Sequence, residues 1–263
     1  MYKEWLIVCK EAAFAAGDMI VENFNQISRK DVQKKGKNDF VTWVDEKSES
    51  IIARILKKNF PSYLIMAEEG GSEGDDSDYL WVVDPLDGTT NFIQGIPHFA
   101  ISIALLKDKK PIFGLIYQPI IKEIFYGCRG EGSFLNGQPI KVSSTEFAGE
   151  AFGATGFPFR THSQLGTYMD TFKDLFKLTK GMRRIGAAAL DLAYVACGRF
   201  DFFWEAYLQP WDFLAGLTII EEAGGMVTDF TEKPLTITSS HVIAANPHLY
   251  KKCLPIIRKH FIT

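Results

Sequence analysis

The sequence predicts a layered α/β protein in which helices and β-strands follow one another irregularly. Apolar runs with helical and with strand periodicity interleave along the chain, without the strict strand–helix alternation of a TIM barrel or Rossmann sheet. The 263 residues, with 46% hydrophobic and 23% charged side chains, are typical of a globular protein with a large core. We expect one compact unit made of two halves, 1–145 and 146–263.

The first third of the chain alternates helical and strand-like patterns. Residues 3–24 predict an amphipathic helix because Trp5, Val8 and Ala12 fall on one side. The elements expected after it are a lysine-rich connector at 29–38, a strand at 40–44, a helix at 47–59, a strand at 63–66, a Gly- and acid-rich loop at 70–78 and a strand at 81–83.

The middle of the chain is mostly β in character. Strands are expected at 99–106, 112–118 and 123–128, followed by a hairpin over 133–142 that turns at Asn136-Gly137. In the last third, the patterns predict helices at 163–179, 188–197, 212–223 and 247–261, with a strand at 200–204.

Two carboxylates follow the apolar strand at 81–83. The segment continues Asp84-Pro-Leu-Asp87-Gly88-Thr89-Thr90. Paired carboxylates on a rigid strand are the hard oxygen ligands that Mg²⁺ prefers, and a glycine before a helix start offers backbone N–H groups to an anion. The alternative is a surface turn, since Asp, Pro and Gly all favour turns.

Acidic residues also mark two distant segments. Glu68 and Glu69 follow the strand at 63–66, and Asp212 stands among large apolar residues at the start of a helix. Asp212 is therefore predicted to be a helix cap, a metal ligand, or both.

Together these segments resemble the inositol monophosphatase family of Mg²⁺-dependent, lithium-sensitive sugar phosphatases. The run from Asp84 to Phe92 resembles the first family signature, and Trp-Asp-Phe-Leu-Ala-Gly at 211–216 with Glu-Ala-Gly-Gly at 222–225 resembles the second. The segment 184–194 is similar to the bacterial branch. The resemblance implies a five-layer α-β-α-β-α sandwich and a homodimer.

The resemblance also implies two or three Mg²⁺ ions. The first would be held by Glu68, Asp84 and the carbonyl of Leu86. The second would be held by Asp84, Asp87 and Asp212, and a third, mostly hydrated ion would lie near Glu68.

The same resemblance implies catalytic and substrate-binding residues. Asp45 would accept a hydrogen bond from Thr89, which orients the attacking water, although Asp45 is also a candidate helix cap. The substrate contacts implied are Asp87, Gly88, Thr89, Ala187, Ala188, Glu205 and Asp212. The alternative for Glu205 is a surface acid at a strand end.

The expected reaction is Mg²⁺-dependent hydrolysis of myo-inositol monophosphate, with Glu68, Thr89 and Asp45 as its catalytic residues. The first alternative is a fructose-1,6-bisphosphatase or a sugar phosphatase with both activities. A role in a transcription complex is less favoured. It is implied by the resemblance to bacterial relatives that act in such complexes, and Arg183-Arg184 is the feature of this sequence that supports it.

Composition excludes several other classes. The net charge of −3 gives no general affinity for nucleic acid, and no apolar run is long enough to span a bilayer. Four scattered cysteines without C-x-x-C spacing predict reduced thiols, and the N-terminus carries no signal peptide, so we expect a cytoplasmic protein. The five histidines lack ligand spacing, and Lys34, Lys35 and Lys37 are expected on a solvated face, although one of them could approach the metals.

Overall fold

The computed structural model describes residues 2–26, 32–36, 39–73, 77–158 and 162–262. The α-helices within these residues are α1 (Tyr2–Asn23), α2 (Trp43–Asn59), α3 (Thr89–Ile93), α4 (Leu165–Leu178), α5 (Ala188–Ala196), α6 (Pro210–Glu222) and α7 (Pro247–Phe261). Two 3₁₀ turns lie at Ala148–Glu150 and His162–Gln164.

The described strands form two main sheets and one hairpin. Their bounds are β1 (Val32–Gly36), β2 (Asp39–Thr42), β3 (Leu64–Ala67), β4 (Gly71–Glu73), β5 (Tyr79–Asp87), β6 (Ala100–Lys107), β7 (Lys110–Gln118), β8 (Glu123–Cys128), β9 (Gly132–Leu135), β10 (Gln138–Pro139), β11 (Phe152–Thr155), β12 (Gly181–Arg183), β13 (Phe202–Ala206), β14 (Met226–Thr228) and β15 (His241–Ala245).

The larger sheet has the order β10-β9-β8-β7-β6-β5-β3-β4 and is antiparallel except where β3 runs parallel to β5. The smaller sheet has the order β12-β11-β13-β15-β14, with β11 parallel to both of its neighbours. The strands β1 and β2 pair only with each other.

Helices cover both faces of each main sheet. The pair α1 and α2 packs on the outer face of the larger sheet, α5 and α6 lie between the two sheets, and α4 and α7 form the outer layer of the smaller sheet. This order of layers is the predicted α-β-α-β-α sandwich. The boundary near residue 145 stays a prediction.

The central helix α6 comes unusually close to the larger sheet. A Cβ atom at Gly114 of β7 would lie 2.2 Å from the carbonyl oxygen of Ala215, so only glycine lets the helix backbone rest there. The carboxylate of Glu222 accepts hydrogen bonds from Gly130 N and Gly132 N, each at 2.9 Å, which ties the end of α6 to the turn between β8 and β9. The two sheets therefore share one packed interior.

The long helices and the strands of the larger sheet agree with the predicted elements, within a few residues. The prediction of a strand at 40–44 was wrong for its last two residues, because Thr42 is the N-cap of α2 and the helix begins at Trp43. Residues 32–36 form a strand inside the predicted connector. Asn136 and Gly137 have φ of 50° and 84°, as the predicted two-residue hairpin turn requires.

Other expectations concern the cysteines and the lysine-rich segment. Cys9, Cys128 and Cys253 are buried, Cys197 is half-buried, and all four are free thiols.

The side chains of Lys34 and Lys35 and the whole of Lys37 lie outside the described part of the chain. Among the described residues, no helix has the length and apolar character that crossing a bilayer requires.

Candidate active site

Residues from both sheets and from the first turns of α3, α5 and α6 line one cavity. The predicted site residues on its wall are Glu68, Asp84, Leu86, Asp87, Gly88, Thr89, Ala187, Ala188, Glu205 and Asp212. Asp45 is 1% exposed and lies behind this wall, in contact with Thr89. The cavity wall therefore brings together residues as distant in sequence as Glu68 and Asp212.

Asp84 and Asp87 lie inside strand β5 and not beyond its end. The alternative prediction, that the segment from Asp84 to Gly88 is a surface turn, was therefore wrong. The pairing of β5 with β6 is regular up to Asp84, opposite Ser102, and then skips to Asp87, opposite Ala100. The unpaired Pro85 carbonyl accepts a hydrogen bond from the Ser48 hydroxyl at 2.8 Å. This irregularity leaves the backbone between the two acids available for local contacts.

Backbone N–H groups orient three of the carboxylates. Asp84 Oδ1 accepts from Leu86 N at 3.0 Å, and Asp87 Oδ2 accepts from Ala189 N at 2.8 Å, in the first turn of α5. Asp212 Oδ2 accepts from Gln209 N at 2.7 Å, so Asp212 supports the N-cap residue of α6 from the third helical position and also lines the cavity. Asp84 and Asp212 are thus held by backbone close to them in sequence, whereas Asp87 is held by the distant helix α5.

Burial and mutual repulsion raise the pKa of these acids. Burial contributes most to the raised pKa of Asp84, followed by the charges of Glu68, Asp87 and Asp212. Burial and then Asp212 raise the pKa of Asp87 to about 7. A divalent cation would relieve this repulsion.

The donors fit a hard cation by their chemistry. Glu68, Asp84, Asp87, Asp212 and the Leu86 carbonyl offer only oxygen atoms, which suit Mg²⁺. No three His, Cys, Asp or Glu side chains of the described residues are, however, already gathered in a metal-binding group. Mutual repulsion between carboxylates is a physical reason for such spacing.

A hydrogen-bonded chain joins α2 to the start of α3. Asp45 Oδ2 accepts from Thr42 N and from the Thr42 hydroxyl, at 2.9 and 2.7 Å, which completes the cap of α2. Asp45 Oδ1 accepts from the Thr89 hydroxyl at 2.9 Å, and the same hydroxyl lies 3.0 Å from the Leu86 carbonyl oxygen. The expected hydrogen bond between Thr89 and Asp45 is therefore present, and Asp45 supports the start of α2 from the third helical position, with Thr42 as the N-cap. The catalytic role of Asp45 stays a prediction.

Gly88 precedes α3 in a left-handed conformation. Its φ is 90°, and a Cβ atom there would lie 3.0 Å from the His98 carbonyl oxygen and 3.3 Å from the Ala187 side chain. Both the backbone conformation and the lack of space favour glycine.

The cavity wall includes Glu205, which is half-buried and therefore not a surface acid. It also includes residues that were not among the predicted contacts. Arg184, Asp191 and Tyr207 also line the cavity. Asp191 could have been found from spacing, because it lies three residues after Ala188 and therefore on the same helix face.

Two other predicted features lie apart from the site chemistry. His98 is not on the cavity wall, and burial lowers its pKa to about 4. The Arg183 guanidinium stacks on the Phe152 ring, with 4.6 Å between Cζ and the ring centroid.

Comparison with known proteins gives one consistent result. The sequence profile of the inositol monophosphatase family matches residues 1–261. The chain is 42% identical to Nus factor SuhB of Pseudomonas aeruginosa, over 97% of this chain and 96% of that protein. It is 41% identical to a fructose-1,6-bisphosphatase/inositol-1-monophosphatase of Aquifex aeolicus, over 98% of this chain and 97% of that protein.

A solved structure agrees with these sequence matches. The inositol monophosphatase from Anabaena superposes with a TM-score of 0.87 and 38% identity, covering 98% of this chain and 97% of that one. The match extends over both sheets and the cavity between them. The chain therefore belongs to the inositol monophosphatase family.

Proposed function

We propose that this protein is a Mg²⁺-dependent phosphatase that hydrolyses inositol monophosphate to inositol and phosphate. One observation carries the proposal: acids from three distant segments meet on one cavity wall, beside a threonine hydroxyl that a buried aspartate holds in place. Membership of a phosphatase family supports the same reaction class.

The acids are proposed to hold two Mg²⁺ ions, with a third, more hydrated ion near Glu68. The first set is Glu68, Asp84 and the Leu86 carbonyl, and the second is Asp84, Asp87 and Asp212. When bound, such ions neutralise phosphate charge and lower the pKa of a water molecule.

Thr89 is proposed to orient the attacking water. Its only hydroxyl hydrogen is directed to Asp45 and the Leu86 carbonyl, so its oxygen can act only as an acceptor toward a further group. A water that donates to this oxygen would present its own lone pair to phosphorus. The water oxygen then forms the new P–O bond, the ester P–O bond breaks, and the leaving inositol oxygen takes up the proton that the attacking water releases.

The rest of the wall is proposed to bind the substrate. The phosphate would lie against the N–H groups of Gly88 and Thr89, and Glu205 would accept a hydrogen bond from a ring hydroxyl. The remaining contacts proposed from the resemblance are Asp87, Asp212 and the backbone at Ala187 and Ala188.

A substrate panel tests the proposal. The panel contains inositol 1-phosphate, fructose 1,6-bisphosphate, adenosine 3′,5′-bisphosphate and histidinol phosphate, each with Mg²⁺ and again with excess EDTA. We expect the highest kcat/KM on inositol 1-phosphate and loss of turnover in EDTA. Titration with Li⁺ at fixed Mg²⁺ should inhibit. Turnover that persists in EDTA would contradict the metal assignment.

Fructose 1,6-bisphosphate is the alternative substrate. The name of the Aquifex relative, which combines both activities, supports it. A kcat/KM for fructose 1,6-bisphosphate equal to or above that for inositol 1-phosphate would favour this alternative.

A transcription-related role is a second candidate. The name Nus factor SuhB of the Pseudomonas relative supports it. The two arginines that first suggested it do not form a shared basic surface, because Arg183 stacks on Phe152 and Arg184 lines the cavity. Co-purification with RNA polymerase by an Asp84→Asn variant lacking turnover would favour this role; no association would dismiss it.

A further inference from the structure

The cavity contains a carboxyl group that the proposed mechanism does not use. Asp191 of α5 is 1% exposed and lines the same cavity as the proposed metal ligands. Within the described part of the chain, its Oδ1 atom has no hydrogen-bond partner.

Other buried acids show what a structural aspartate looks like in this protein. Asp201 is also buried, and its two oxygens accept from the Ser143 hydroxyl at 2.5 Å and from Phe152 N at 2.7 Å. A buried polar group is normally satisfied in this way, because an unpaired one costs its full desolvation energy. Within the described residues, Asp191 Oδ1 has no comparable support, so we expect its partner to be a group of a bound ligand.

The neighbours of Asp191 indicate the kind of partner. Asp191 shares the cavity with two acids, Asp87 and Glu205, and with one cation, Arg184. The charges of the two acids raise the pKa of Asp191 and that of Arg184 lowers it, so its surroundings already contain both signs of charge. A neutral hydroxyl, which can both donate and accept, suits this surrounding better.

We propose that Asp191 is a specificity-determining residue that hydrogen-bonds a ring hydroxyl of a polyhydroxylated phosphate ester. The inference rests on the proposed function and extends it to a second hydroxyl-binding acid beside Glu205. A site built to bind a hydroxyl strongly rejects analogues that lack it. Asp191 would thus favour cyclitol or sugar phosphates over simple aryl phosphates.

The variant Asp191→Asn tests this inference, because it keeps the shape of the side chain and removes the carboxylate. We expect kcat/KM for inositol 1-phosphate to fall at least 10-fold, mainly through a higher KM. Turnover of p-nitrophenyl phosphate, which has no ring hydroxyl, should stay within about twofold of the wild type. Thermal unfolding of both proteins checks that the fold is intact.

Thr218→Val is the matched control. The Thr218 hydroxyl is also buried and without a hydrogen-bond partner among the described residues, but it is not on the cavity wall. We expect this variant to leave both substrates unaffected. This control shows whether the loss of a buried polar group without a hydrogen-bond partner is enough, away from the cavity, to change turnover.

Deoxy analogues of inositol 1-phosphate identify the hydroxyl concerned. Removing the hydroxyl that Asp191 binds should abolish the difference between wild type and Asp191→Asn, whereas removing another hydroxyl should preserve it. Equal losses on inositol 1-phosphate and p-nitrophenyl phosphate, or no loss on either, would overturn the inference.

A separate measurement keeps the two proposals distinguishable. Wild-type protein that hydrolyses neither ester with Mg²⁺ would contradict the proposed function. In that case, calorimetric titration of the wild type and of Asp191→Asn with inositol 1-phosphate would still test whether Asp191 contributes to binding. At least 10-fold weaker binding to the variant supports the inference, and equal binding or no binding to the wild type rejects it.

Discussion

The carboxylate of Glu205 lies directly over Gly156, and this contact fixes where the acid can be. A Cβ atom at Gly156 would lie 1.8 Å from Glu205 Oε1, which is far inside van der Waals contact. Glu205 is therefore positioned by the absence of a side chain on a neighbouring segment. Its orientation depends on Gly156 as much as on its own strand.

Gly156→Ala should displace Glu205 without altering the metal ligands. We expect kcat/KM for inositol 1-phosphate to fall by roughly 10- to 100-fold, since a shift of about 1 Å in a positioning group has this scale of effect. Turnover of p-nitrophenyl phosphate should change little. Gly149→Ala, which has open space around the added methyl group, is the matched control. Equal losses on both substrates would argue against hydroxyl recognition by Glu205.

His98 should remain uncharged down to acidic pH. Burial lowers its pKa to about 4 in the folded protein, from about 6.5 in an unfolded chain. The unfolded state therefore binds more protons as the pH falls from 6.5 toward 4, and folding stability is lost across that window, by at most about 3 kcal/mol. NMR of the His98 ring should show no titration between pH 8 and 5.

The variant His98→Phe provides the stability test for that histidine. The urea midpoint of the wild type should fall more steeply between pH 7 and 5 than that of His98→Phe. Parallel pH dependence in the two proteins would show that His98 does not contribute.

The proposed metal-binding acids were predictable because each one adjoins an apolar strand or helix segment in the sequence. Asp84 and Asp87 follow an apolar strand, and Asp212 precedes an apolar helix. Asp191 carries only the weaker signal of its helical spacing from Ala188, since its significance depends on which groups surround it after folding. Arg184 and Tyr207 reach the cavity for the same non-local reason.

At the scale of elements, α2 has two functions through one cap. The Thr42 hydroxyl accepts a hydrogen bond from Val44 N at 3.1 Å and donates one to Asp45 Oδ2. The other carboxylate oxygen, Asp45 Oδ1, accepts a hydrogen bond from the Thr89 hydroxyl. The start of the helix and the orientation of Thr89 are therefore set by the same pair of residues.

Thr42→Ala should lower both stability and turnover. Loss of an N-cap costs about 1 kcal/mol of unfolding free energy, and a less restrained Asp45 should reduce kcat more than it changes KM. Thr42→Ser keeps the hydroxyl and should restore both values. Urea unfolding and steady-state kinetics measure the two effects. Unchanged kcat in Thr42→Ala would separate the cap from catalysis.

Helices were easier to predict than the smaller sheet. The helix at 247–261 was predicted to the residue, because Pro247 and a long apolar period define it. In contrast, β11, β12, β14 and β15 have three to five residues each, and they pair with strands that are distant in sequence. Their stability comes from tertiary packing, which local patterns do not contain.

At the scale of the whole molecule, the proposed metal site joins the larger sheet to the central helix α6. Asp84 and Asp87 belong to the larger sheet, whereas Asp212 lies in the first turn of the helix between the sheets. Cations bound there would connect the two elements and remove the repulsion among the acids.

Saturating Mg²⁺ should therefore raise Tm by roughly 5 to 10 °C, as expected for an ion at about 100 times its Kd. Asp212→Asn should raise Tm without Mg²⁺, because one repelling charge is removed, and should shrink the Mg²⁺-dependent shift. Differential scanning calorimetry at constant ionic strength measures both. An undiminished shift in Asp212→Asn would contradict its assignment as a ligand.

The place of α6 in the fold also affects how the chain can be made in the cell. The inner face of the larger sheet includes Ala104, Ile116 and Phe125, and α6, the later of the two helices that cover it, begins roughly 70 residues after β10. At ribosomal speeds of about 5–20 residues per second, this apolar face would wait several seconds for its partner. Nascent chains stalled between residues 139 and 210 should therefore be especially dependent on chaperones.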